Sequence, residues 1–540
     1  MKKNKFYKFN GMAGFLPLLA LSGLGFTVNA RDKVPEKRPN IVLIMADDMG
    51  YSDIGCYGSE IATPNIDRLA AEGLRFRNFY NNAKCCPTRA SLLTGLYNHE
   101  AGMGNMVSKA DAPYQEGPYQ GFLNKNSVTL AEVLRSAGYS TYLSGKWHVG
   151  ERQEHWPMQR GFDKYFGLIS GACSYFEISK EPPIRQMAYG NQSWTPPAKG
   201  FYMTDALSDS AVAFIESHNQ TKKDQPFFLY LAYTAPHWPL HALQEDIKKY
   251  EGVYAKGWDS IRIERYRKMV KLGLLSEKQQ LTPRTPKIPA WDTAEDKDLW
   301  IRRMQVYAAM IDRMDQGIGR VIDTLKKLGK TDNTIIIFLS DNGGANENVS
   351  NENINLPGVL TGEKGSSDSY KEPWANVSNT PYRYYKNWMH EGGIITPLIV
   401  SWPSVVKGRG TFTNQVGHVI DFMPTFLEVA GAKYPDQFND HPIKPYRGVS
   451  LVPAFVGAPV ERTEPLFWEH SGGQAMRQGD WKIVRKNNRP WELYNLDKDP
   501  TELLNLSEKE TERLKKMTAR YESWEKEVGV TSANNKSAEE

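Results

Sequence analysis

Four apolar runs in this chain end in residues able to do chemistry. Ile41 to Ala46 leads straight into Asp47-Asp48, and Thr334 to Leu339 leads through Ser340 into Asp341-Asn342-Gly343-Gly344. Tyr139 to Ser144 leads to Lys146 and His148, and Phe227 to Leu231 leads after a short loop to His237. Ligands of open parallel sheets gather at the carboxyl ends of strands, so these residues are expected along one edge. Three carboxylates and an amide oxygen form the ligand set of a hard cation, calcium or magnesium rather than zinc, which prefers nitrogen and sulfur. Either acidic pair alone reads as turn and cap chemistry after a strand. Two such pairs at one edge repel each other unless a cation lies among them.

The elements that must position these groups are legible as well. Continuous apolar runs, with Leu398 to Val400 a further one, predict strands buried on both faces of a parallel sheet. Between them lie helical patterns. One starts at Thr63-Pro64 and stops at Gly73, another opens on a Thr129 and Glu132 capping box, and a long one runs from about Asp298 to Leu328. The alternation predicts an α/β fold with a mostly parallel sheet flanked by helices. From about Arg447 the texture changes. Trp481 to Val484 and Trp491 to Tyr494 read as a short antiparallel sheet, and Leu514, Met517, Tyr521 and Trp524 mark one stripe of a last helix.

Bulk properties narrow the classes. The 540 residues are 40 % hydrophobic and 24 % charged, enough for a large core, and only Thr531 to Glu540 read as a flexible tail. Lys2, Lys3, Lys5 and Lys8, the apolar stretch Phe15 to Phe26 and Val28-Asn29-Ala30 predict a signal peptide over residues 1–30 and a periplasmic or secreted product. Pro17 and Gly23 break the apolar stretch, which is too short for a comfortable membrane span, so no stable membrane association is expected after its removal. The formal charge of +5 falls to +1 when those four lysines leave, so no basic patch argues for nucleic acid. Cys56, Cys85, Cys86 and Cys173 cannot make a dense disulfide framework in so long a chain, and adjacent Cys85 and Cys86 do not readily bridge. A reactive or modified cysteine is the alternative reading.

The most specific string is Cys85-Cys86-Pro87-Thr88-Arg89-Ala90-Ser91-Leu92-Leu93-Thr94-Gly95. It resembles the signature of the type I, formylglycine-dependent sulfatases, with Thr88 where serine is commoner. Pro87 lies two residues after Cys85, so the register makes Cys85 the modified residue and Cys86 a bystander. Lys146-Trp147-His148, Ala235-Pro236-His237, Asp341-Asn342-Gly343 and Lys386 with Glu391-Gly392-Gly393 follow in family order, as does Met476-Arg477-Gln478-Gly479-Asp480-Trp481-Lys482. The details are most similar to bacterial arylsulfatases of the Pseudomonas type.

The resemblance implies an alkaline-phosphatase-like core over 31–440, a small C-terminal subdomain over 441–530 and a tail over 531–540. It implies one Ca2+ held by Asp47, Asp48, Asp341, Asn342 and the formylglycine made from Cys85. Arg89 would steady the formylglycine hydrate, and Lys146 and Lys386 would contact the sulfate. His237 is the candidate general acid for the leaving oxygen, and His148 the candidate acceptor of the hydrate's proton. Taken singly, such lysines and histidines read as solvated or structural groups; their joint occurrence with the Cys85 string decides otherwise. His99, His155, His241 and His390 are read as structural.

Polar, turn-rich segments Gly102 to Lys125, Gly171 to Gly200 and Asn346 to Tyr385 are expected around the pocket mouth. Tyr175, Glu177, Arg185, Asn346, Trp374 and Arg383 are the candidate sugar or aryl contacts there. The expected partners are a sulfated small molecule or saccharide and a sulfatase-maturing enzyme. The alternatives are a phosphoesterase or phosphonate hydrolase of the same superfamily, or a non-catalytic glycan-binding protein if Cys85 stays a thiol.

Overall fold

The computed structural model describes residues 37–108, 115–178, 185–348, 358–487 and 489–531. The expected signal segment 1–30 and all of the tail beyond Thr531 lie outside the described residues. Among the described residues no helix is long and apolar enough to cross a membrane.

Ten strands make one sheet: β1 (Asn40–Ala46), β2 (Leu74–Tyr80), β3 (Ser140–Gly145), β4 (Lys164–Leu168), β5 (Met187–Tyr189), β6 (Gln192–Trp194), β7 (Phe227–Ala232), β8 (Thr334–Ser340), β9 (Ile395–Ser401) and β10 (Thr411–His418). Their order is β10-β2-β9-β8-β1-β7-β3-β4-β5-β6. The strands β8, β1, β7, β3 and β4 pair in parallel, as the apolar runs predict. Every residue of β1 is buried, with Ile41, Leu43 and Met45 in one core and Val42, Ile44 and Ala46 in the other. Each such large aliphatic side chain contributes on the order of 1.5–3 kcal/mol by burial.

Helices Pro64–Glu72, Met203–Thr221 and Lys297–Lys327 cover one face, and Cys85–Thr94, Leu130–Ser136 and Phe422–Ala430 cover the other. The Thr129 and Glu132 capping box forms as its spacing predicts. Two strands depart from expectation. The strand at Leu398 to Val400 runs antiparallel to both its neighbours, β8 and β2. The segment Leu74–Tyr80, whose alternation hides between charged residues, is a strand that runs with β8.

Both departures matter for the site. With β9 reversed, its start, Ile395, lies at the edge where β8 ends, and Ser340 N donates to Thr396 Oγ1 at 2.8 Å. With β2 aligned, Tyr80 ends at that same edge and hands the chain to Cys85.

A second sheet of four antiparallel strands follows, β13 (Leu466–His470), β14 (Gly473–Gln478), β15 (Trp481–Lys486) and β16 (Glu492–Asn495), after a two-stranded ribbon of β11 (Gln437–Phe438) and β12 (His441–Pro442). The last helix, Thr511–Val528, buries Met517, Tyr521, Trp524 and Val528, with Trp524 stacked on Phe467 at 4.9 Å. This unit grips the chain on both sides of the site. Trp468 Nε1 donates to Asn81 O at 2.7 Å, and Lys482 Nζ reaches Glu391 at 2.6 Å and Glu502 at 2.8 Å.

Candidate active site

Cys85 is the first residue of its helix, whose ten residues are all buried. The positive end of a helix dipole favours negative charge at that position. Contact with the Cys86 thiol, with Lys146 and His148 adding to it against burial, pulls the Cys85 thiol well below its ordinary value. The sulfurs of Cys85 and Cys86 and a ring nitrogen of His148 lie within 4.8 Å of one another, and His148 Nδ1 is buried without a hydrogen-bond partner.

The carboxylates converge on the same point. Asp47 and Asp341 are fully buried and Asp48 nearly so. Asp341 N donates to Ala46 O at 3.1 Å and Asp48 N donates to Asp341 Oδ1 at 3.2 Å, so the ends of β1 and β8 are tied together. Three cations answer the three acids. Lys146 Nζ is 2.5 Å from Asp47, Arg89 donates to Asp341 at 2.9 Å, and Lys386 Nζ is 2.8 Å from Asp48. Asn342 Nδ2 donates to Asp48 Oδ1 at 2.7 Å, and His237 Nε2 lies 3.4 Å from Asp48 Oδ2. Asp48 and His148 both hold left-handed backbones, with φ of 64° and 56°, a strain that clusters at functional sites.

Two glycine segments make this convergence possible. Gly343 N donates to Gly393 O at 3.2 Å, and a Cβ on Gly343 would stand 2.0 Å from Gly392 O. Only glycine lets the loop that carries Asp341 and Asn342 touch the segment that carries Lys386.

The group of residues fits a divalent cation. Asp47 Oδ1 and Asn342 Oδ1 are buried without a hydrogen-bond partner, an expensive state for oxygen unless a cation takes the lone pairs. Burial pushes Asp47 up against the pull of Lys146 and Arg89, and pushes Asp341 well up, where Asp47 adds to it. The three carboxylates are balanced by Arg89, Lys146 and Lys386, so a divalent ion bound there would leave a net +2 to attract an anion. The oxygens of Asp47, Asp48, Asp341 and Asn342 suit calcium or magnesium, and a ring nitrogen of His237 lies within 4.8 Å of the Asp47 and Asp48 carboxylates.

The model of the sulfatase family matches residues 39–432 of this chain. This chain belongs to the sulfatase family. The C-terminal model of N-sulphoglucosamine sulphohydrolase matches residues 381–527. The sulfatase is 36 % identical to the arylsulfatase of Klebsiella aerogenes over 77 % of its own length and 92 % of the relative's. It is 36 % identical to an uncharacterised sulfatase of Schizosaccharomyces pombe over 83 % and 85 %. Among solved structures it resembles Ps i-CgsB in complex with k-i-k-neocarrahexaose, with TM-score 0.67 and 29 % identity over 90 % of this chain and 93 % of that one. The phosphonate monoester hydrolase of Agrobacterium radiobacter, at TM-score 0.54 and 20 % identity over 90 % and 96 %, shares the fold. The sulfatase is therefore a sulfuric ester hydrolase on an alkaline-phosphatase-like core.

Of the candidate substrate contacts in the sulfatase, three are built into its scaffold instead. Tyr175 is buried and its hydroxyl donates to Thr234 O at 2.6 Å and His237 O at 3.0 Å. Trp374 is fully buried among Tyr254, Trp258 and Trp291, its N–H donating to Trp300 O. Arg383 is tied to Glu492 at 2.6 Å and Tyr494 at 2.8 Å in the C-terminal sheet. The two aromatics have been drawn inward to pack, while Arg383 stays partly exposed and is held by its pairing. Glu177 pairs with Lys364 at 2.8 Å, while Arg185 and Asn346 are half-buried. His99, His241 and His390 have structural partners, as read from the sequence: Glu469 at 2.7 Å, Ser366 O at 2.8 Å and Glu492 at 3.3 Å.

Sequence reasoning missed Glu347, Lys84 and Trp238. Glu347 lies 2.8 Å from Lys84 Nζ and 3.1 Å from Lys386 Nζ, and accepts from Trp238 Nε1 at 2.5 Å. The available signal was proximity: each lies within six residues of a motif residue, at Asp341, Cys85 and His237 respectively.

Proposed function

We propose that this enzyme hydrolyses sulfate monoesters, aryl sulfates and sulfated carbohydrates, with a formylglycine made from Cys85 by a maturing enzyme and with one calcium ion. The observation that carries this reading is the meeting of Cys85, His148 and Lys146 with the Asp47, Asp48, Asp341 and Asn342 cluster at one sheet edge. Asp47, Asp48, Asp341, Asn342 and residue 85 would hold the cation, which supplies charge neutralisation at a sulfate oxygen and lowers a hydroxyl pKa. A formylglycine at position 85, as its hydrate, would supply two hydroxyls on one carbon, one as nucleophile toward sulfur and one whose deprotonation would release sulfate and restore the aldehyde.

The chain's own groups do the rest. Lys146 and Lys386 present ammonium groups to the sulfate oxygens, in fixed positions that need no reorganisation during the reaction. Burial lowers Lys146, but Asp47, Cys85 and Asp341 outweigh it, so the ammonium stays charged. Arg89, locked by Asp341 and the Lys146 carbonyl, steadies the side chain at 85. His237 Nδ1 faces the Trp238 carbonyl at 2.6 Å, which can only accept, so Nδ1 keeps its proton. Burial lowers His237 and Asp48 opposes this, so Nε2 donates to the leaving oxygen only after it has taken up a proton beside Asp48. Burial pulls His148 down to about 4, against the opposing pull of Cys85, so its ring is neutral and ready to accept the hydrate's proton.

Sulfated carbohydrate is the preferred natural class, supported by a relative crystallised with a neocarrahexaose. Export to the periplasm or medium is inferred from the basic, apolar and small-residue pattern of residues 1–30. The division into a catalytic domain and a C-terminal subdomain is supported by the change from the ten-stranded sheet, whose last strand ends at His418, to the antiparallel sheet that starts at Leu466; 440 itself falls within the β11–β12 ribbon.

The test pairs mass spectrometry of the Cys85 peptide with rates on 4-nitrophenyl sulfate and 4-nitrophenyl phosphate. An aldehyde at 85 and a preference for the sulfate are expected. A large phosphate preference would place the chain with phosphoesterases, and an unmodified thiol with no turnover would favour the glycan-binding reading.

A further inference from the structure

Beside the sulfate cradle sits a carboxylate that the mechanism does not use. Glu347 leaves the edge of β8 six residues after Asp341, and its backbone is pinned by Ser369 Oγ, which donates to its carbonyl at 2.7 Å. One carboxylate oxygen lies between two ammonium groups, Lys84 at 2.8 Å and Lys386 at 3.1 Å. The other accepts from the Trp238 indole at 2.5 Å. Lys386 in turn touches Asp48, and Asp48 faces His237. The carboxylate is thus one ammonium group away from the acid that faces the proton donor of the leaving oxygen.

Exposure gives the direction. Side-chain exposure rises from 1 % at Lys386 and 2 % at Asp48 to 13 % at Lys84 and 23 % at Glu347, and Trp238 is half-buried. The sulfate must sit at the buried end, among the lysines, so the leaving alcohol extends toward Glu347 and Trp238. Lys386 and Lys84, with burial opposing them, hold the Glu347 carboxyl well below its ordinary value, so it is an acceptor only.

We infer that Glu347, with the flanking Trp238 ring and Lys84, forms the leaving-group subsite, and that it selects pyranose sugars as leaving groups by accepting a hydrogen bond from a hydroxyl next to the sulfate ester. The inference rests on the sulfatase reading above. A carboxylate acceptor beside an aromatic ring suits a pyranose, whose hydroxyls donate and whose C–H face packs on indole. A phenol leaving group offers no second donor. Lys84 pairs the carboxylate, so a neutral sugar meets no net charge at the rim.

The test uses the calcium-loaded, formylglycine-bearing enzyme and its Glu347→Gln variant. The substrates are the monosulfates of galactose, N-acetylgalactosamine, glucose and N-acetylglucosamine, single-deoxy analogues of whichever sugar sulfate is turned over, and 4-nitrophenyl sulfate. The variant should lose about tenfold to a hundredfold more kcat/KM on the sugar sulfate than on the aryl sulfate, mostly through KM, the scale of a hydrogen bond to a charged group. That extra loss should vanish on the analogue lacking the contacted hydroxyl. Equal losses on sugar and aryl sulfates, or equal losses on every deoxy analogue, would reduce Glu347 to a clamp for the lysines. Turnover of aryl sulfate but of no sugar sulfate by the unsubstituted enzyme would overturn the subsite alone. Turnover of neither would remove the sulfatase reading and the subsite with it.

Discussion

Lys386 Nζ lies 2.8 Å from Asp48 Oδ2, although the chain separates the two residues by 338 positions. The contact exists because β9 is reversed, so the segment before it arrives at the edge where β1 ends. In the sulfatase it puts a buried ammonium against a buried carboxylate. Burial lowers Lys386, but Asp48 and then Glu347 more than reverse this and hold it well above its ordinary value.

Removing that ammonium should be costly twice. Lys386→Ala is expected to lower kcat/KM on 4-nitrophenyl sulfate by about a hundredfold to a thousandfold, the scale of losing one preorganised charge contact. It also leaves Asp48 short of a partner. A loss smaller than tenfold in steady-state kinetics would remove Lys386 from the sulfate cradle.

Cys85→Ala should abolish turnover while the melting temperature moves by only a few degrees, because one small buried side chain is lost at a helix start. Assay and thermal melt on the same preparation check it. Substantial residual hydrolysis would contradict the role given to residue 85.

Chelation should reveal the cation. EDTA is expected to abolish activity and lower the melting temperature, and Ca2+ should restore both. Ligand at a hundred times its dissociation constant adds about 2.7 kcal/mol to stability, a shift that a melt resolves easily. If EDTA changes neither readout, the carboxylates are balanced by Arg89, Lys146 and Lys386 alone.

Glu492 gives a pH signature. His390 and then Tyr494 and Arg383 outweigh burial and lower its carboxyl from 4.5 to about 2. A lowered folded value stabilises above the unfolded one, and that stability is lost as pH falls from about 4.5 toward 2. With 30 % of the side chain exposed, the gain is on the order of 1–2 kcal/mol after screening. Melting curves of Glu492→Gln and the parent should therefore differ at pH 6, and the gap should narrow as pH falls below 4.5 and close only near pH 2. A constant gap would mean that the Arg383 and His390 contacts do not depend on the charge.

Trp374→Ala tests the reassignment of an expected substrate contact. Loss of this indole from its aromatic cluster should cost about 3–5 kcal/mol in denaturant unfolding. KM for aryl sulfate in the folded fraction should stay unchanged; a selective rise in KM would return Trp374 to the pocket.

Much of this protein is determined by the sequence itself. Asp47-Asp48, Asp341-Asn342, Lys146 and His148 were legible because the signal is local: a buried apolar run ends, and the next residues carry oxygen or nitrogen. The register of Pro87, through the resemblance to the sulfatase signature, points to Cys85 rather than Cys86 as the residue to be modified. Local periodicity also marked β1, β3, β7 and β8 and the long helix.

What only the tertiary structure decided is which distant segments meet and which side chains face the opening. The direction of β9 and the presence of β2 follow from pairing across the sheet, and no window of sequence contains both partners. Tyr175 and Trp374 share composition and loop context with exposed loop residues, yet packing turned them inward, and Arg383 is tied to Glu492 and Tyr494. Glu347, Lys84 and Trp238 lay unremarked beside known motifs until three strand connections brought them together. The physical reason is that side-chain chemistry is carried by single residues, whereas burial and contact belong to pairs of segments that only the folded sheet defines.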